Sequence, residues 1–226
     1  MPSFEIIKES DFDKNSFRVA SIIGTFDLQN EKIVERFAGN IDIENTNWQI
    51  GCIHGSSGTG KSVIAQELWG KFKEKLYFEK SVIDDLAPSS TDEIVKTLVS
   101  VGFGSTTSWL KPYKVLSNGE KMRVDLARAL LSEDNPIVFD EFTSVVDRHI
   151  AKIGSDCVQR AIRSSSRKFI AITCHEDIIE YLRPDWIFNT NSMSMSFPDK
   201  KKDQNCTSKY SKQIDPIGKC LLDTII

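Results

Sequence analysis

The sequence predicts an α/β protein on a mainly parallel sheet, with a β-rich start and a short helical subdomain. Three observations carry this expectation. First, the apolar run Trp48-Gln49-Ile50-Gly51-Cys52-Ile53 leads into a glycine-rich stretch at 55–62, and Val63-Ile64-Ala65-Gln66-Glu67-Leu68-Trp69 follows with apolar residues at helical spacing. Second, Ile137-Val138-Phe139 is a short apolar run closed by two acids, Asp140 and Glu141. Third, Phe169-Ile170-Ala171-Ile172-Thr173-Cys174 reads as a core strand and ends on His175. Short continuous apolar runs alternating with helical patterns are the mark of strands buried on both faces of a parallel sheet.

The elements fall in order around these runs. Residues of about 4–53 read as β-rich, with Arg36 to Ile43 as a strand packing on the core. A compact helical insert spans 88–132, within which Thr91 to Val99 is an amphipathic helix. Trp109 and Tyr113 read as packing residues of this lobe. Strand–helix alternation resumes from about 137 to 190, with Pro184-Asp185-Trp186-Ile187-Phe188 as a last edge strand. One domain is therefore expected over 1–197, followed by a polar tail over 198–226.

Gly55-Ser56-Ser57-Gly58-Thr59-Gly60-Lys61-Ser62 fits the phosphate-loop pattern G-x-x-x-x-G-K-[ST]. Each residue type answers a need of a bound triphosphate. The glycines let backbone N–H groups approach phosphate oxygens. Lys61 reaches the β- and γ-phosphates as a point charge, and the Ser62 hydroxyl is a Mg²⁺ ligand. The helix opening at Lys61-Ser62-Val63 adds its positive dipole end. ATP and Mg²⁺ are thus the expected cofactors, with Gly55 to Val63 as the phosphate cradle.

The acids after Phe139 complete this chemistry. A buried parallel strand presents such groups at the ligand crevice outside its carboxyl end. Asp140 is placed to hold Mg²⁺, and Glu141 to orient or deprotonate an attacking water. Phosphoryl transfer asks the protein for positioning and charge neutralisation more than for covalent help.

Further motifs follow in a fixed order. Leu116-Ser117-Asn118-Gly119-Glu120 opens a helix of good formers, Asp140-Glu141 leads to Thr143-Ser144-Val145-Val146-Asp147, and His175 ends the strand at 169–174. Together with the phosphate loop, this series resembles the ABC-type ATPase family over roughly residues 19 to 190. The resemblance implies a signature motif at Ser117 and Gly119, which contacts the γ-phosphate held by another subunit. It implies a D-loop aspartate at Asp147 and a switch histidine at His175. With one phosphate loop and one signature, it further implies a head-to-tail homodimer around two ATP molecules. His54 and His149 read as structural. Phe142, where transporters of the family usually carry proline, and Pro184-Asp185-Trp186 resemble prokaryotic and phage ABC-type ATPases sometimes continued by a predicted acetyltransferase domain.

Some positions depart from the family pattern. Asn118 replaces a glycine and Glu120 a glutamine in the signature. Only residues 63–115 separate the phosphate loop from the signature, and none after Gln66 is a glutamine. The best positional substitute for the family's glutamine loop is Val82-Ile83-Asp84-Asp85, read as a strand ending on acids. Asp84 or Asp85 then reaches Mg²⁺ or the lytic water, or the acids form a plain turn. Phe26 is read evenly as stacking on adenine from a strand or as core filling; Phe37 is the alternative ring, on the strand that packs against the core.

Composition sets limits. Net charge is −3, hydrophobic content 40% and charged content 27%, ordinary values for a globular domain. The charge gives no overall nucleic-acid signature and leaves a local basic patch open. No apolar run approaches a membrane span, and the N-terminus lacks a signal-peptide pattern. The five cysteines form no C-x-x-C pair, so reduced thiols and no zinc are expected. The expectation is a cytoplasmic ATPase driving an unidentified protein partner. A membrane-transporter subunit and an ATP-gated clamp with negligible turnover are the alternatives.

Overall fold

The computed structural model describes residues 3–13, 15–28, 32–73 and 75–198; the polar tail expected over 198–226 lies outside the described residues except for Pro198. The chain opens with β1 (Ser3–Ser10), α1 (Phe17–Phe26) and β2 (Ile33–Asn40). β1 and β2 pair antiparallel, from Ser3 opposite Asn40 to Ser10 opposite Ile33. The start is therefore not purely β: a helix joins its two strands, and no residue of α1 is buried.

The core sheet is built from β3 (Ile50–His54), β4 (Ile137–Phe139), β5 (Phe169–Thr173), β6 (Trp186–Asn189) and β7 (Ser194–Ser196). Its strand order is β4-β5-β3-β6-β7. The first four strands are parallel, and β7 returns antiparallel to β6. Every residue of β3 and β5 is buried, which explains their unbroken apolar sequence. Pro184–Phe188 does not form an edge: β7 covers β6, and Trp186 is fully buried. Trp186 lies flat against β3 because Gly51 has no Cβ; one built there would fall 2.0 Å from the indole. Trp48 and Trp69 pack on the same indole at 5.6 and 6.3 Å between ring centroids.

Helices cover both faces. α2 (Lys61–Trp69) follows the glycine-rich loop. α3 (Val82–Asp85), α4 (Thr91–Ser100), α5 (Thr106–Trp109) and α6 (Asn118–Leu131) form the helical lobe. α7 (Arg148–Arg163) and α8 (Ile179–Leu182) complete the helices. Ser90 and Glu93 close a capping box on α4, satisfying two N–H groups that a helix start leaves open. Trp109 is buried, its Nε1 donating to Phe103 O at 2.9 Å, so it packs as expected. Tyr113 stacks on Tyr77 at 3.8 Å, and both phenols donate to Asp125 Oδ1. That carboxylate also pairs with Lys75 at 3.2 Å. The linker before the helical lobe is thereby tied to the middle of α6.

Val82–Asp85 is a helical turn and not a strand. The Ser81 hydroxyl accepts from Asp84 N at the turn's start. Asp85 Oδ1 accepts from Phe78 N at 2.9 Å and Glu79 N at 3.0 Å. Cys174 lies just past β5 and is exposed, contrary to its expected core position, whereas Cys52 and Cys157 are buried. Cys206 and Cys220 fall outside the described residues. Among the described residues no helix is long and apolar enough to cross a membrane.

Candidate nucleotide site

The carboxyl ends of β3, β4 and β5 meet in one crevice, where open parallel sheets bind ligands. The loop from β3 to α2 supplies its floor. Gly58 and Gly60 have φ of +81° and +79°, a region that glycine enters without the Cβ clash other residues meet. Phe37, on β2 and 8% exposed, explains why position 60 must also be small. A Cβ on Gly60 would lie 2.5 Å from its ring. Gly60 starts α2 without a side-chain cap. The free N–H groups of the first turn and the helix dipole then favour an anion. Lys61 Nζ donates to Gly55 O at 2.9 Å and Ser56 O at 2.7 Å, folding over the loop.

Two residues that sequence reasoning missed brace this loop from the β6–β7 turn. Asn191 Oδ1 accepts from Ser56 N at 3.1 Å. Thr190 Oγ1 lies 2.6 Å from Thr59 Oγ1, which also donates to Ser56 O. Neither carries a motif; only the fold brings them there.

The start of α2 and the end of β4 meet through side chains. Ser62 Oγ donates to Asp140 Oδ1 at 3.0 Å. A hydroxyl and a carboxylate so placed, beside a cradle for phosphate, form a donor set of hard oxygens suited to Mg²⁺. Asp140 Oδ1 also accepts from Glu141 N at 2.9 Å. Glu141 is exposed and has φ of +53°, costly for a residue with a Cβ and common where a side chain is held for function. Phe142 holds the turn in place. It is fully buried, edge-on to Phe139 and Phe169, and its N–H donates to Ile172 O at 2.8 Å. Burial of such a ring is worth roughly 1.5–3 kcal/mol, which offsets strain at the neighbouring residue.

His175 follows β5 on the third side of the crevice. Its N–H donates to Thr173 Oγ1 at 3.1 Å. Its Nδ1 is buried without a hydrogen-bond partner. Burial lowers its pKa below the ordinary histidine value, the nearby Arg148 lowers it further, and Asp177 opposes both. His54, at the end of β3, is 7% exposed. Its pKa is also lowered, first by burial, with Lys61 adding to the effect and Glu176 opposing it.

These two shifts have one sign. The unfolded chain takes up protons on both imidazoles before the native one does, so stability rises with pH through this window. The contribution is complete above the ordinary histidine pKa and is lost as pH falls below it. The melting temperature should fall from pH 7.5 to 5.5, above the range where carboxylates titrate. A flat melting temperature across that interval would remove both histidines from the folded protein's proton balance.

The signature residues lie apart from these groups in the chain's own fold. Ser117 caps α6 in a box with Glu120, whose Oε2 accepts from Ser117 N at 2.9 Å and Ser117 Oγ at 2.8 Å. That backbone hydrogen bond holds the Glu120 carboxyl below its usual range. The helix start thus already carries one internal anion, a consequence of Glu120 standing where glutamine is usual. Gly119 is buried against α7, 3.1 Å from a would-be Cβ to Ile150 Cδ1. Asp147 caps α7, its Oδ1 accepting from His149 N and Ile150 N at 2.9 and 3.0 Å.

Three expected site residues are displaced from their roles. Asp84 pairs with the Ser81 hydroxyl and Asp85 with backbone N–H groups. Their carboxylates serve local turns, so a metal role for Asp84 or Asp85 finds no support. Phe26 ends α1 at 66% exposure, which rules out core filling and the strand position from which base stacking was expected. Among the described residues no group of three His, Cys, Asp or Glu is placed to hold a metal, so Mg²⁺ would rest on Ser62, Asp140 and the phosphates themselves.

The crevice has relatives. No protein-family profile matches the chain. The lipoprotein-releasing system ATP-binding protein LolD of Pseudomonas syringae pv. tomato is 34% identical over 89 residues, 39% of this chain and 38% of that protein. An uncharacterized ABC transporter ATP-binding protein of Haemophilus influenzae is 30% identical over 125 residues, 41% of this chain and 51% of that protein. The dimeric structure of MJ0796, a bacterial ABC transporter cassette, superposes with a TM-score of 0.53 at 14% identity, over 72% of this chain and 88% of that one. The fold is that of an ABC-type ATPase cassette. The matches span about two-fifths to one-half of the curated relatives' length.

Proposed function

We propose that the chain binds Mg²⁺-ATP and hydrolyses its β–γ phosphoanhydride as a cytoplasmic head-to-tail dimer. The observation that carries this reading is the Ser62–Asp140 hydrogen bond, which joins the phosphate loop to the strand end bearing Glu141. Gly55, Ser56, Ser57, Gly58, Thr59, Gly60 and Val63 wrap the phosphates with backbone N–H groups, and Lys61 turns from the loop carbonyls to them. Bound Mg²⁺ neutralises phosphate charge and stabilises the transition state. Glu141 accepts the proton of the attacking water, and His175 faces the charge that develops on the phosphate. Ser117, Gly119 and Asp147 of one copy close the site of the other; the bacterial cassette MJ0796, of the same fold, is dimeric.

Hydrolysis measured across protein concentration tests the dimer. Specific activity should rise with concentration, and Ser117→Arg should hold it at the dilute level while leaving ATP binding intact. Full activity in Ser117→Arg would rule out the head-to-tail arrangement.

A second reading is favoured by LolD and the Haemophilus influenzae protein, both ATP-binding proteins of transport systems. In it the same dimer docks on a membrane partner. Co-purification with an integral membrane protein decides between this and a partner without a membrane span.

A further inference from the structure

One buried titratable group takes no part in the chemistry above. His54 ends β3 directly before Gly55, and its backbone is fixed: its carbonyl accepts from Thr190 N at 2.9 Å and Thr190 Oγ1 at 3.3 Å. Its Nδ1 is buried without a hydrogen bond, 3.5 Å from Glu176 Oε1. Glu176 is the residue after His175 and starts the 3-10 turn Glu176–Ile178. The next residue of that turn, Asp177, accepts from Arg148 on α7. Among the described residues, the other charge acting on His54 is Lys61, at the start of α2.

We propose that His54, paired with Glu176, is a positioning residue that holds the His175 loop against the phosphate loop. The inference rests on the nucleotide-site reading above. The pair is strongest when the imidazole is protonated on both nitrogens, because only then does Nδ1–H present a charged donor to the carboxylate. Two groups set that proton. Glu176 favours it, and the Lys61 ammonium opposes it. Phosphate oxygens gathered on Lys61 cancel that opposition, so nucleotide binding tightens the pair. The loop bearing His175 is then drawn toward the phosphates when nucleotide is present and released when it leaves. Nothing in the phosphate-loop pattern calls for a histidine at position 54, so the device belongs to this chain's own residues.

The test follows the His54 imidazole by NMR in the full chain, with and without a non-hydrolysable ATP analogue, in wild type and Glu176→Gln. Glu176 is exposed, so its substitution leaves the core untouched. His54 should titrate at higher pH in wild type than in Glu176→Gln, and the analogue should raise the wild-type value. In turnover, Glu176→Gln and His54→Ala should each lower kcat about tenfold or more with little change in KM. The double variant should be no worse than either single one. His54→Asn, which keeps an N–H donor near the Nδ1 position, should recover part of the rate and flatten its pH dependence below pH 7. Identical His54 titrations in wild type and Glu176→Gln would overturn the pair, and additive kinetic losses would overturn its positioning role. Should wild type show no turnover at all, the titration difference would still establish the pair, and the hydrolysis reading alone would fall.

Discussion

Glu141→Gln is expected to lower ATP turnover by about 100-fold or more while nucleotide affinity stays near wild type. The substitution keeps shape and hydrogen-bonding reach but removes the base. Glu141 sits where two constraints converge. Its N–H donates to the carboxylate that Ser62 also touches, and its backbone is held at φ of +53° by the turn that buried Phe142 anchors. The glutamine variant should therefore fold, bind and close without proceeding. Since closed dimers are not emptied by hydrolysis, size-exclusion chromatography with Mg²⁺-ATP should show more dimer than in wild type. Retention of the wild-type rate would reassign Glu141 to the solvated strand end. Loss of binding together with turnover would show that the turn itself had failed.

The parts of the site that were legible in the sequence are those whose chemistry is local. Glycines at 58 and 60, the Lys61–Ser62 pair and the acids after Phe139 each answer a demand set within a few residues. The strands that carry them read as apolar runs because both their faces are covered. The illegible parts came from distance or brevity. Thr190 and Asn191 reach the phosphate loop from more than 130 positions away, and nothing in Asn189-Thr190-Asn191-Ser192 separates a brace from an ordinary polar turn. Val82–Asp85 spans four residues, too few for periodicity to tell strand from helix. Its conformation is set by Ser81 and by N–H groups at 78 and 79 that the Asp85 carboxylate collects.

The two largest errors concern α1 and β6. Phe17–Phe26 carries Val19, Ile22, Ile23 and Thr25, residues that favour strands, and it forms a helix with no buried side chain to mark its period. Phe26 followed this segment into the wrong element, while Phe37, on the strand expected to pack on the core, is buried there and is also the ring against Gly60. β7 is Ser-Met-Ser, a composition with little strand character, so β6 was expected at the edge. The place of β6 inside the sheet is set by β7 pairing with it, not by the residues of β6 themselves.

Lys61→Ala is the second large effect, and it acts on binding. In the structure the Lys61 ammonium bonds to Gly55 O and Ser56 O, so transfer to phosphate exchanges two neutral acceptors for charged ones. Hydrogen bonds to charged groups contribute about 1.5–3 kcal/mol, and the two carbonyls given up offset part of that gain. The remainder corresponds to ATP affinity about 10- to 100-fold weaker in the alanine variant. The same substitution frees the exposed Ser56 carbonyl and the part-buried Gly55 carbonyl from their donor, so the melting temperature should change little. Calorimetric titration of ATP beside a thermal melt separates the two effects. Unchanged affinity would show that backbone N–H groups and the dipole of α2 hold the phosphates without help. A collapsed melting temperature would instead make Lys61 a structural brace, its bonds to Gly55 and Ser56 holding the loop more than its charge serves the nucleotide.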